Sequence, residues 1–156
     1  MEFSDVIKNR YSCKKFSSEQ IGKDKLDAIL EAGRVAPTAK NLQEQHIYVV
    51  QSESALETID KLTPCRYNAP TVLIVAYNKN NVFTYLGDKR NSGIEDATIV
   101  ATHLMLAAYN EGVDSCWINF FNPDELAKAF NLPEDEEILM PVSYTHLRAH
   151  ETLANL

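Results

Sequence analysis

The chain carries 156 residues, 45% hydrophobic and 24% charged, with a formal net charge of −7, the length and composition of about one globular domain. The acidic balance argues against a general nucleic-acid surface, and no apolar run approaches the ~20 residues that span a bilayer. Cys13, Cys65 and Cys116 are odd in number and far apart, the pattern of reduced thiols in a cytoplasmic protein rather than of a disulfide framework.

The opening MEFSDVIKNR is charged and amphipathic, unlike a signal peptide. Phe3, Val6 and Ile7 have helical spacing, so a short first helix is expected. RYSCKKF, Arg10 to Phe16, reads as extended. A second helix is predicted from Lys23 to Val35, with Leu26, Ile29, Leu30 and Val35 as its apolar stripe and Pro37 beyond its end. A polar loop, Thr38 to Gln45, leads into the strand HIYVVQ. Ser54 and Glu57 have the spacing of a capping box for a helix from Ala55 to Leu62. TVLIVAY is a continuous apolar run, suited to a strand covered on both faces.

Ile94 to Asn110 is the longest helix candidate. Its apolar residues surround nearly the whole wheel, as in a helix buried in a core or an interface. Asp96 there reads either as a helix-start acid or as an organiser of a dimer or site. His103 reads as a satisfied buried or interface histidine. Gly112 suits the helix C-terminus. DSCWINFF is a strand candidate, and Asn122-Pro123-Asp124-Glu125 a strong helix start. EEILMPV begins a last strand. Strands separated by helices imply an α+β or α/β sandwich.

Three stretches carry possible chemistry. In an extended RYSCKKF, Arg10, Ser12 and Lys14 share one side and Tyr11 and Cys13 the other. A guanidinium, a hydroxyl and an ammonium suit a phosphate monoester; the alternative is a solvated cluster pairing with Glu2, Asp5 or Glu19. APTAKNLQEQH is either an ordinary helix-ending loop or one that lets a planar ligand approach, with Asn41 able to donate and accept at once. In DSCWINFF, Trp117 fits a core, Asn119 a polar contact at a sheet edge, and Cys116 an inert buried thiol rather than a nucleophile. No CxxC or HExxH spacing points to a metal.

Taken together, RYSCKKF, APTAKNLQ and the run from GIEDATIV to NLPED resemble, in order and spacing, the motifs of the FMN-dependent nitroreductase family over roughly residues 1 to 140. The resemblance implies an α+β fold: a mixed sheet flanked by helices, a long buried central helix, and a homodimer with FMN at the subunit interface. It implies that Arg10, Ser12 and Lys14 hold the phosphate, ribityl chain and pyrimidine side of the flavin. It implies that Pro37, Thr38, Ala39 and Asn41 meet the flavin partly from the other subunit, and that Trp117, Ile118 and Asn119 lie along the ring near N5. Lys14 stands where arginine is commoner, which loses the guanidinium fork. The implied activity is hydride transfer from NADH or NADPH through flavin N5 to nitroaromatic, quinone or similar acceptors, in a ping-pong scheme. No side chain need then act as an acid or base, and no Rossmann glycine motif is present. The alternatives are a flavin carrier or sensor without turnover, an inactive fragment of such an enzyme, and a dimeric interaction module.

The resemblance ends near Met140. Family members continue into a glycine-containing turn and a basic C-terminal arm that wraps the partner. Here PVSYTHLRAHETLANL loses that pattern, and VSYTHLRAHET resembles translated sequencing-adapter bases. Residues 1–140 are expected to form the FMN-binding domain, and 141–156 an atypical tail, foreign or truncated. The alternative is a genuine helix through Leu147, His150 and Leu153, and Arg148 is not carried over as a family arginine.

Overall fold

The computed structural model describes residues 1–87 and 89–146. Leu147, Arg148, His150 and Leu153 lie outside the described residues. The fold is α+β. Five helices, α1 (Phe3–Asn9), α2 (Lys23–Arg34), α3 (Glu53–Leu62), α4 (Gly93–Asn110) and α5 (Pro123–Ala129), surround the strands β1 (Gln45–Val50), β2 (Thr71–Asn78), β3 (Val113–Trp117) and β4 (Glu136–His146). The strands form one antiparallel sheet in the order β1-β2-β4-β3.

β2 explains the layering. TVLIVAY is apolar at every position because the strand is central and both faces are covered. Leu73, Val75 and Tyr77 point to one side, into a core shared with Ile29 of α2 and Val100, Ala101 and Leu104 of α4. Val72, Ile74 and Ala76 point to the other, against Leu56 and Ile59 of α3 and Leu126 of α5. Two cores thus flank one sheet. At Gly33, α2 and α4 pack so closely that a Cβ would stand 2.7 Å from Leu104 Cδ2.

Several boundaries differ from the sequence reading. α3 begins at Glu53 with Ser52 in the cap position, so Ser54 lies inside the helix and the Ser54/Glu57 box is not used. β3 stops at Trp117; the Phe121 N–H then donates to the Asn119 carbonyl at 3.2 Å and closes a tight turn. β4 runs on beyond the expected EEILMPV to His146, and Val142, Ser143, Tyr144 and Thr145 are buried. The register shift between Val75 and Ala76 opposite it marks an irregular ladder there. Elsewhere the local chemistry acts as expected. Asn122 Oδ1 caps α5 by accepting from the Asp124 and Glu125 N–H groups, and Gly112 takes the left-handed conformation, φ 71°, after α4.

Candidate functional site

Arg10 follows α1 in an extended conformation, its N–H donating to the Val6 carbonyl. The chain then runs beside β3. Ser12 forms a parallel bridge with Ser115, and the Cys13 N–H donates to the Ser115 carbonyl at 3.0 Å. Tyr11 fixes the segment further: its hydroxyl donates to Asp114 Oδ2 at 2.9 Å. Burial, then the Asp114 hydrogen bond, raises the Tyr11 phenol, and burial likewise raises the Asp114 carboxyl. Cys13 is buried, Ser12 and Lys14 are exposed, and Arg10 is half-buried. Arg10 Nε is sequestered without a hydrogen-bond partner among the described residues. A buried guanidinium donor with nothing to donate to is costly. With an exposed hydroxyl and ammonium next to it on the chain, it fits a phosphate group and so satisfies the donor set an FMN phosphate requires.

Pro37 to Asn41 lies at the other end of the long helix. Thr38 is extended, and Ala39–Asn41 make one turn of 3-10 helix. Lys40, Asn41 and Gln43 all hold positive φ, near 52–55°. The Gln43 N–H donates to Thr38 Oγ1 at 3.1 Å, and Gln43 Nε2 to the Arg34 carbonyl at 3.3 Å. The Ala39 N–H donates to Asp96 Oδ1 at 2.9 Å. Pro37 and Asn41 are exposed; Thr38 and Ala39 are half-buried.

The third stretch continues β3. Trp117 is half-buried against the main core, and its indole N–H donates to Asn119 Oδ1 at 2.8 Å. Ile118 turns inward, 1% exposed, and its N–H donates to the Pro141 carbonyl. Asn119 is exposed. Cys116 is buried, and burial pushes its thiol up, which keeps it protonated near neutral pH.

These groups are not all brought together within one chain. The 10–14 segment and Trp117–Asn119 are neighbours, because Ser12 pairs with Ser115 on the same strand. The loop is tied to Asp96, near the start of α4, whereas the Met1 amino group donates to Asn110 Oδ1 at its end. Asp96 and Asn110 are 14 residues apart on one helix, roughly 21 Å at 1.5 Å per residue. Sequence reasoning missed Ser92, whose hydroxyl donates to Asp96 Oδ2 at 2.6 Å, and it did not show that Phe120, beside Asn119, is 72% exposed. A serine four residues before an acid at a helix start was a readable signal for the first. The second was hidden inside an apolar run that looked like strand.

Comparison with known proteins bears on the family and the fold. A sequence model described as the Nitroreductase family matches residues 7–67 and 63–144, two overlapping stretches. The chain is 31% identical to a nitroreductase family protein from Clostridium difficile 630, covering 97% of this chain and 88% of that one with a TM-score of 0.91. A nitroreductase family protein from Clostridium novyi NT is 27% identical, with 95% and 86% covered and a TM-score of 0.87. YodC of Bacillus subtilis strain 168, which bears the name of an NAD(P)H nitroreductase, is 28% identical over 177 residues, 89% of this chain and 86% of that protein.

Proposed function

Since the chain belongs to the nitroreductase family, we propose that it is an FMN-dependent NAD(P)H oxidoreductase that works as a homodimer with FMN at the subunit interface. The observation that carries this reading is the buried Arg10 Nε without a partner among the described residues, on an extended segment bridged to β3 beside exposed Ser12 and Lys14. When bound, FMN supplies the redox chemistry, taking hydride from NADH or NADPH at N5 and returning it to a nitroaromatic, quinone or similar acceptor in a ping-pong cycle.

The chain's own residues bind and orient. Arg10 and Lys14 neutralise the phosphate and the pyrimidine edge, and Ser12 adds a hydroxyl to the ribityl side. Trp117, Ile118 and Asn119 form the wall along the ring. Ile118 anchors that wall inward and the Trp117 indole holds the Asn119 amide in place. Pro37, Thr38, Ala39 and Asn41 complete the site, partly from the partner subunit. Exposed apolar residues support association: Phe3 and Ile7 on α1 are 68% and 52% exposed, and Ile94 and Ile99 on α4 are 57% and 37% exposed.

The test is the visible spectrum of the purified protein, before and after anaerobic NADH and NADPH, beside an Arg10→Ala variant. A flavin spectrum that bleaches with either nucleotide, and a variant with at least tenfold weaker FMN binding, are expected. Flavin that stays oxidised would support binding without turnover. A colourless protein that refuses added FMN would sink the proposal.

A further inference from the structure

Asp96 is 4% exposed, and both of its carboxylate oxygens are engaged. Oδ1 accepts the Ala39 N–H at 2.9 Å, 57 positions away in sequence, and Oδ2 accepts the Ser92 hydroxyl at 2.6 Å. Ser92 is itself 1% exposed, and its N–H donates to the Phe83 carbonyl at 2.8 Å. A single carboxylate in the first turn of α4, where the helix dipole favours negative charge, therefore joins the helix start, the segment before it and the loop after α2.

The loop needs such a tie. Lys40, Asn41 and Gln43 have φ of 52°, 55° and 55°. Residues with a Cβ pay for left-handed backbone, so it persists only where the surroundings over-determine it. The other restraints lie at the surface: Gln43 is exposed, and the Lys40 ammonium stands 5.0 Å from the Phe83 ring. The Asp96–Ala39 bond is the charge-assisted one with a buried acceptor, and it acts one residue before the first strained position.

We propose that Asp96 is a positioning residue for the cofactor loop. It fixes the Ala39 backbone so that Thr38 and Asn41 stand where the flavin requires them, and it does so without touching the cofactor. Ser92 orients the carboxylate for that task. The inference rests on the FMN reading given above for the loop.

The variants are Asp96→Ala, Asp96→Asn and Ser92→Ala. An asparagine carbonyl can still accept from Ala39 while its amide donates to Ser92 Oγ, so Asp96→Asn is the rescue. Each is measured for FMN affinity by fluorescence quenching, for amide hydrogen exchange of residues 37–43 without flavin, and for melting temperature. Asp96→Ala is expected to weaken FMN binding tenfold or more and speed exchange at Ala39. Ser92→Ala should weaken binding severalfold, and Asp96→Asn should recover most of the loss. Alanine variants that bind FMN within twofold of wild type would overturn the proposal. So would unchanged Ala39 exchange, or affinity loss that merely tracks melting temperature across all three variants. If Asp96→Ala does not fold, Ser92→Ala and Asp96→Asn carry the same comparison. Wild-type protein that takes up no FMN would overturn the functional reading instead, and the exchange data alone would then decide whether Asp96 sets the loop.

Discussion

Replacing Tyr144 with phenylalanine is expected to stabilise this protein. Tyr144 sits in β4 at 0% exposure, between β2 and β3, and its hydroxyl has no hydrogen-bond partner among the described residues. A buried hydroxyl without a partner costs about 1–3 kcal/mol. The ring contacts are the same in phenylalanine, and the lost oxygen forfeits only a few dispersion contacts of about 0.1–0.2 kcal/mol each. The net gain is about 1–2 kcal/mol, which for a chain of this length raises Tm by about 2–8 °C. Urea unfolding at pH 7 and fixed protein concentration measures it. The alkaline limb gives a second reading. Burial holds the Tyr144 phenol above its ordinary value of 10.0, so the residue contributes stability that is fully present below that pH and is lost as pH rises beyond it. Phenylalanine has no such loss, so the advantage of the variant should widen above about pH 10. A variant that is less stable at pH 7 would refute the reasoning, because that requires a partnered hydroxyl, and an alkaline limb as steep as that of wild type would refute the burial of the phenol.

Gly93→Ala should destabilise by about 1–3 kcal/mol, the usual cost of overpacking, because its Cβ would fall 2.2 Å from Cε2 of the buried Tyr77 ring. Thermal unfolding measures this, and a Tyr77→Val second change should recover part of the loss if the ring is the obstacle. Tyr11→Phe removes the donor to Asp114 Oδ2; it should cost about 1–3 kcal/mol and weaken FMN binding by loosening the 10–14 segment, seen by urea unfolding and flavin titration together. Arg10→Ala and Asp96→Ala damage opposite halves of the proposed interface site. Mixed refolding of the two should therefore restore FMN binding at about one strong site per two-chain heterodimer, read by titration stoichiometry; no restoration would argue for a site built within one chain.

How much of this was legible beforehand depended on how local the cause was. TVLIVAY announced a central strand because burial on both faces needs no partner to be named. Asn122-Pro123 announced α5 because the cap and the proline act within one turn. Ser54/Glu57 misled because the helix starts earlier, at Glu53, with Ser52 in the cap position and no side-chain cap hydrogen bond. EEILMPV announced the start of β4 through Pro141, whose carbonyl accepts the Ile118 N–H; the continuation to His146 lacked the patterning that would have marked it as strand. Alternation set exposed Ser12 and Lys14 apart from buried Cys13, but Tyr11, expected on the side of Cys13, is exposed and Arg10 is half-buried. It could not show that Arg10 Nε is sequestered, nor that Asp96 reaches Ala39, because those facts exist only once α4 lies across the sheet. The strained loop gave no warning either, as lysine and glutamine occupy positive φ where glycine would have been the signal.

The parallel bridge between Ser12 and Ser115 has a consequence for solubility. β3 is the last strand of the sheet, and its outer side presents backbone donors and acceptors that could template another chain. The segment from Arg10 to Lys14 lies along that side and occupies the Ser115 carbonyl through the Cys13 N–H. The same few residues proposed to grip the cofactor therefore also shield a sticky margin, with the exposed Lys14 as a charged deterrent. Any change that peels the segment away uncovers β3 along with the loss of binding. Cofactor-poor protein should then self-associate edge to edge, and excess flavin during expression would protect against aggregation as well as against inactivity.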